Sequence, residues 1–238
     1  GEAAIGVGMV SRFNESSVGD LNILAGLVLR AHGDASVAEG LLNRALEIDP
    51  ASAPVFATYG LLLHQHTRDV KRAETVLRQA LEVDPQCSDV LCNLAGVYMD
   101  DSCKDYARAE EYFKKALASD PHHVSSLSYY GLLQQEVHHD YTMAERLYNV
   151  ALYLDPLSVE CLSHYASYLG KCQEDLESAE RLFRRVLTLD PLHANSYCNY
   201  GLVLQAKDGD LEGALESFDR AIEIEPANGA SYGFKALL

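Results

Sequence analysis

The feature that most narrows what this chain can become is a sentence of seventeen residues written six times. One copy is DYARAEEYFKKALASDP, from Asp105 to Pro121. The others close on Pro50, Pro85, Pro156, Pro191 and Pro226, so successive closing prolines lie 35, 36, 35, 35 and 35 residues apart. Within the copy, Ala109, Tyr112, Phe113, Ala116 and Leu117 stand at offsets 0, 3, 4, 7 and 8, which gathers them on one face of an α-helix. Glu110 and Lys114 form an i,i+4 pair in the favourable order on the opposite face. Asp-Pro then stops the helix, because proline lacks an N–H and pushes its predecessor out of the α region. Self-similarity at this period predicts stacked two-helix units, each leaning on its neighbours.

The spacing of small residues says how the units close. First helices are expected over 18–31, 53–66, 88–101, 124–137, 159–171 and 194–206. Each carries a small residue at an equivalent place: Ala25, Gly60, Ala95, Gly131, Ala166 and Gly201. Another stands near the start of each second helix: Ala38, Ala73, Ala109, Ala144, Ala179 and Ala214. Small side chains at facing positions let helix axes approach closely and favour a tight antiparallel hairpin. A third set, Ala45, Ala80, Ala116, Ala151, Val186 and Ala221, leaves room for the next first helix to nest.

These residues carry a resemblance. The chain is similar to tetratricopeptide-repeat (TPR) arrays, whose pattern is W-x2-L-G-x2-Y … A-x3-F … P. In the second repeat the match reads Phe56, Tyr59, Gly60, Leu63, Ala73, Leu77, Ala80 and Pro85. In the third it reads Leu91, Leu94, Ala95, Tyr98, Ala109, Phe113, Ala116 and Pro121. In the sixth it reads Tyr197, Tyr200, Gly201, Leu204, Ala214, Phe218, Ala221 and Pro226. Two departures are visible. The period is 35 rather than the usual 34, with the extra residue in the turn inside each hairpin. The pattern's Trp is replaced throughout by Leu21, Phe56, Leu91, Leu127, Leu162 and Tyr197.

The resemblance implies an all-α fold, a right-handed superhelical solenoid of antiparallel helix pairs. Its repeats would be 18–52, 53–87, 88–123, 124–158, 159–193 and 194–228, with a partial repeat at 229–238. Residues 1–17 read as a degenerate helix or an extended segment. The last stretch, GASYGFKALL, is mostly apolar. It reads either as a cut through a longer array or as a short cap, and an open apolar end would invite end-to-end contacts. The chain opens on Gly rather than Met, as an excised or processed piece would.

In resembling arrays the first helices line a concave groove. Their sixth residues here are Ile23, Thr58, Asn93, Tyr129, His164 and Asn199, and the fifth are Asn22, Ala57, Cys92, Ser128, Ser163 and Cys198. The second residues, from the second repeat on, are Pro54, Asp89, Ser125, Glu160 and Asn195. Asparagine offers a donor and an acceptor together, which suits the backbone of an extended peptide. Asn93 and Asn199 are therefore the leading candidates, with Thr58, Cys92, Ser128, Tyr129, Ser163, His164, Asn195 and Cys198 around them. Family members that grip acidic C-termini do so with Lys and Arg on first helices. Here the first helices from 53–66 onward carry essentially none apart from Lys171, so a carboxylate clamp is not expected.

Charge and composition bound the rest. Nineteen Lys and Arg against thirty-five Asp and Glu give a net charge of −16, which repels phosphate backbones and anionic lipid. Neither nucleic acid nor membrane insertion is expected; the longest apolar run, Leu21 to Leu29, is too short to span a bilayer. The six cysteines form no C-x-x-C pair and read as reduced thiols in a cytoplasmic, reducing compartment. His64/His66, His122/His123 and His138/His139 lack ligand partners at helical spacing and read as solvated turn residues. No phosphate loop, nucleophile elbow or metal motif is present, so no enzyme activity, metal or cofactor is expected. The expected partner is a protein or peptide, bound by an adaptor or scaffold. Two alternatives stand beside it: a regulatory module of a larger enzyme, and a purely architectural subunit.

Overall fold

A computed structural model of the chain describes residues 17–30, 34–226 and 229–237. The segment 1–17 falls outside the described residues except for Ser17. The described residues are overwhelmingly helical and hold no β-strand. In order, the helices are α1 (Val18–Arg30), α2 (Ala35–Ile48), α3 (Ala53–Leu61), α4 (Val70–Val83), α5 (Ser88–Met99) and α6 (Tyr106–Ser119). They continue with α7 (Val124–Leu133), α8 (Tyr141–Leu154), α9 (Val159–Cys172), α10 (Leu176–Leu189), α11 (Ala194–Asp208), α12 (Leu211–Ile224) and α13 (Gly229–Ala236). Single π-helical turns, Leu62–His66 and Gln134–His138, extend α3 and α7. No described helix is long and apolar enough to cross a membrane.

The chain divides into two compact units, one ending at Ser126 and the other beginning at Leu127. In the first, α1 packs on α2, α3 on α4, and α5 on α6, while α3 also touches α1 and α2, and α5 also touches α3 and α4. In the second, α9 packs on α10 and α11 on α12, with α11 also against α9 and α10, and α13 against α11 and α12. Each unit is thus a file of helix pairs, and α3, α5 and α11 each rest on both helices of the pair before them.

Both aspartates of the repeated sentence have work at helix ends. The leading one is an N-cap: Asp69, Asp105, Asp140, Asp175 and Asp210 each accept from the backbone N–H three residues on, at 3.0–3.1 Å. Asp34 accepts from Ser36 N–H at 2.8 Å. Such caps contribute about 1 kcal/mol each. The trailing aspartate, before proline, accepts from the N–H two residues on, as Asp120 does from His122 at 2.9 Å. That bond holds the connection as the chain leaves the helix.

The turns between first and second helices share one backbone feature. Arg68, Lys104, His139 and Glu174 adopt φ of 57, 47, 55 and 54°, and Gly209 adopts 62°. Each directly precedes an N-cap aspartate. One left-handed residue therefore turns the chain between first and second helix, after which the Asp69, Asp140 and Asp175 N–H groups return to carbonyls six residues back.

The core follows the small-residue pattern with one refinement. All the alanines at the first second-helix position are fully buried, as are Ala45, Ala80, Ala116, Ala151, Val186 and Ala221. Between them lie Leu42, Leu77, Phe113, Tyr148, Phe183 and Phe218, also fully buried. These large side chains are what the first-helix glycines accommodate. A Cβ on Gly131 would sit 2.8 Å from the Tyr148 ring, and one on Gly201 would sit 2.7 Å from Phe218. The close approach is glycine against ring.

Two stability outcomes follow. Gly131→Ala should lower the unfolding free energy by about 1–2 kcal/mol, because a rigid ring must move and the helix propensity gained, about 1 kcal/mol, does not offset it. Glu174→Gly should raise it by about 0.5–1 kcal/mol, since a left-handed non-glycine residue costs about 1–2 kcal/mol and glycine pays part of that back in unfolded-chain entropy. Urea titration of both variants reads the two signs, and a stabilised Gly131→Ala would contradict this packing.

Candidate functional site

The first helices present their fifth and sixth residues very differently. In the first unit, Cys92 is buried, whereas Thr58 and Asn93 are half-buried. Thr58 Oγ1 donates to the Pro54 carbonyl of its own helix at 3.2 Å. Asn93 Nδ2 reaches across to the preceding first helix and donates to the Ala57 carbonyl at 3.0 Å. In the second unit, Ser128, Ser163 and Cys198 are buried, while Tyr129, His164 and Asn199 are half-buried and Asn195 is exposed. The fifth residues thus lie in the seams, and the sixth form the rim above them.

The seams are polar and closed. Ser128 Oγ lies 2.9 Å from His164 Nδ1, which repeats the sixth-to-fifth register of Asn93 and Ala57 one unit later. Ser163 Oγ is 2.8 Å from Ser196 Oγ, which in turn is 2.8 Å from His193 Nδ1. The Tyr129 ring meets His164 edge-on at 5.0 Å. The Ser196 N–H also donates to His193 Nδ1, at 3.2 Å, so that this ring caps α11 with its proton on Nε2. His123 caps α7 the same way through Ser126 N–H, and its Nε2 bonds Asp89 at 3.0 Å. His64 pairs with Asp100 at 3.2 Å and is largely buried. These histidines fill structural posts rather than standing in solvent.

Nothing in this arrangement activates a nucleophile. Burial pushes the Cys161 thiol up to about 12, against the Ser128 hydroxyl that would lower it, and burial raises Cys198 as well. Thiols shifted that way are inert. All six cysteines are unbridged. Among the described residues no three His, Cys, Asp or Glu side chains converge to hold a metal ion. Burial, with His193 acting in the same direction, lowers His164 to about 4, so its ring is neutral at physiological pH.

Two features had no clear signal in the linear chain. The Glu–Arg pairs of second helices do not simply face water. Tyr98 OH donates to Glu74 Oε1 at 3.0 Å, and Arg78 bonds both, at 2.8 Å each, clasping α5 onto α4. Arg184 Nε bonds Tyr200 OH at 3.0 Å and its other nitrogen bonds the buried Glu180 at 2.6 Å. The second feature is a recess of about 200 Å³ between α9, α10 and α11, walled by Leu176, Phe183, Leu202 and Val203 and including Ser167, Lys171 and Asn199. Asn199 is the one candidate residue that opens onto it.

A family model described as the tetratricopeptide repeat matches residues 62–124 and 173–229. No curated protein matches the chain. Among solved structures, pilF of Pseudomonas aeruginosa is 21% identical with a TM-score of 0.58, over 93% of this chain and 97% of that one. The Cut9–Hcn1 hetero-tetramer of the APC/C contains a chain that is 15% identical with a TM-score of 0.71, over 98% of this chain and 45% of that one. YrrB, described as a TPR protein with an unusual peptide-binding site, is 24% identical with a TM-score of 0.48, over 82% and 97%. At these identities the likeness is one of fold.

The His164 seam carries a pH dependence. A histidine whose folded pKa is depressed supports folding above its ordinary value near 6.5, and that support is lost as pH falls from about 6.5 towards 4. The loss should be on the order of 2 kcal/mol. Urea midpoints measured across this window should fall more steeply for the wild type than for His164→Gln. Parallel slopes would show that the ring is not held neutral by the fold.

Proposed function

The chain belongs to the tetratricopeptide-repeat family, whose model matches half of it, and on that premise we propose that it is an adaptor or scaffold binding an extended segment of another protein along its first helices. The fold is that of a protein–protein interaction module. The observation that carries the finer reading is the division of labour between neighbouring residues. Fifth-position side chains close the seams, and sixth-position ones (Thr58 and Asn93 in one unit, Tyr129, His164 and Asn199 in the other) stay within a guest's reach.

Their chemistry suits main chain more than charge. Amides, a hydroxyl, a neutral imidazole and a phenol ring match the alternating donors and acceptors of an extended backbone. Lys171 and Lys207, the cations on the later first helices, already pair with Glu136 and Glu180. A clamp for a multiply charged acidic terminus would need unpaired cations. The Asn93 amide is engaged with Ala57, so its Oδ1 is the atom this reading assigns to a guest N–H. Asn199 is assigned both roles.

The double variant Asn93→Ala, Asn199→Ala tests this. For a partner recovered with the wild-type chain and mapped to a segment, its Kd should rise at least tenfold, about 1.4 kcal/mol. The variant should stay folded, losing about 1 kcal/mol of stability for the Ala57 bond. Arg146→Glu and Arg185→Glu on second helices should leave binding unchanged. Unaltered affinity in the asparagine variant, with loss in the arginine ones, would reject the groove and favour an architectural role.

A further inference from the structure

Along each second helix, the seventh, eleventh and fourteenth residues of the repeated sentence form one stripe, and it is exposed in every repeat. Four repeats carry glutamate on it, at Glu47, at Glu82, at Glu111, and at Glu216 with Glu223. Lys115 and Arg220 are neutralised on the stripe itself, by Glu111 at 2.6 Å and by Glu223 at 2.9 Å. In α8 the stripe instead reads Arg146, Val150 and Tyr153, and in α10 it reads Arg181, Arg185 and Thr188. Neither of these two holds a carboxylate.

Both helices belong to the second unit and both pack on α9. They bury equivalent faces, Ala144, Tyr148 and Ala151 in one and Ala179, Phe183 and Val186 in the other, so their stripes turn the same way. Elsewhere in this unit Lys171, Arg184, Lys207, Arg220 and Lys235 each meet a carboxylate. Arg146 and Arg185 have no ion-pair partner among the described residues, and Arg181 bonds the Ser178 hydroxyl at 2.9 Å rather than a carboxylate. No residue three or four places from Arg146 or Arg185 is acidic, so neither helix neutralises them itself. Arg181 and Arg185 also stand one turn apart, a like-charge spacing that destabilises a helix. The fold gains nothing from this arrangement. Tyr153 adds an apolar part: at 86% it is the most exposed large hydrophobic side chain among the described residues, where other repeats place Glu47, Glu82 and Glu223. Val150, one turn back, is 46% exposed. Tyr and Arg are the residue types that concentrate in the energetic centres of protein interfaces.

We infer that the outward face of α8 and α10 docks an acidic segment of a second protein, its carboxylates on Arg146, Arg181 and Arg185 and an apolar side chain against Val150 and Tyr153. Charge complementarity names this occupant. Guanidinium forks match carboxylates, and a short segment feels the local field within a Debye length of about 8 Å. A long polyphosphate, or a second copy of this chain, meets the net charge of −16 as well and is repelled. This surface is distinct from the groove: a segment held by the first helices ignores Arg146 and Arg185, whereas one held here needs them. Two such surfaces let one chain join two partners, as an adaptor must.

The test pans a random peptide library displayed on phage against the whole wild-type chain and, in parallel, against the Arg146→Glu, Arg185→Glu chain. Peptides retained by the wild type alone should combine Asp or Glu with an aromatic or branched aliphatic residue. For such a peptide, Arg181→Gln should raise Kd about threefold to fivefold. Tyr153→Ala should raise it at least tenfold, as loss of an interface centre does. Lys115→Gln, at the same stripe in the first unit, should leave it unchanged. All these positions are exposed, so the substitutions leave the core untouched. Acidic peptides indifferent to Tyr153→Ala would overturn the surface. So would a thymidine oligonucleotide that binds the wild type as tightly as they do, or a wild-type dimer that the double arginine variant dissolves. Finding no peptide retained by the wild type alone would also overturn it, while leaving the groove, whose peptides both chains retain, standing.

Discussion

The structure depends on one steric bargain inside each hairpin: a first helix without a side chain, or with only a methyl, lies against a large side chain of the second helix. Gly131 over Tyr148 and Gly201 over Phe218 show it most plainly. Because the ring occupies the space a Cβ would take, the two axes come close enough to bury the flanking alanines completely. Those alanines in turn leave the second helix slim, and the following first helix nests on it. A dispersed set of such contacts, rather than one centre, buries the apolar surface of each unit.

Polar groups then fix register without opposing that packing. Aspartate caps satisfy the donors at second-helix N-termini, and a left-handed residue before Asp69, Asp105, Asp140, Asp175 and Asp210 reverses the chain. Between pairs, the Glu74–Tyr98–Arg78 clasp and the Asn93-to-Ala57 bond lock the seam from opposite sides. Such contacts contribute about 1 kcal/mol each. Their value lies in specifying which neighbour sits where.

Much of this was readable from the chain, and the remainder was not for identifiable reasons. Recurrence of Ala109, Phe113 and Ala116 and their counterparts marks the buried face directly, since burial and period are both local properties. The length of the repeat placed its extra residue in the turn, but only backbone geometry shows that Arg68, Lys104, His139 and Glu174 sit at positive φ; their chemistry does not favour it. Cys92, Ser128, Ser163 and Cys198 adjoin the rim in sequence, yet helical rotation turns them into the seams. The Ser128–His164 and Ser163–Ser196 contacts and the recess arise from residues about 35 apart meeting in space.

The functional reading follows from what the seams leave over. On the proposed reading, fifth-position side chains are spent on the seams, and the sixth-position groups, some of them sharing one polar atom with a seam, keep neutral hydrogen-bonding atoms for a guest. The proposed reading therefore has such a face discriminate by backbone shape more than by charge. All of it presupposes that each hairpin is held by its small-against-large contact. Native-state hydrogen exchange tests that premise most directly, residue by residue. The slowest amides should lie in the second helices around Phe113, Tyr148, Phe183 and Phe218, with protection approaching that of global unfolding. Exchange there as fast as in the turns at Lys104 and His139 would contradict the account.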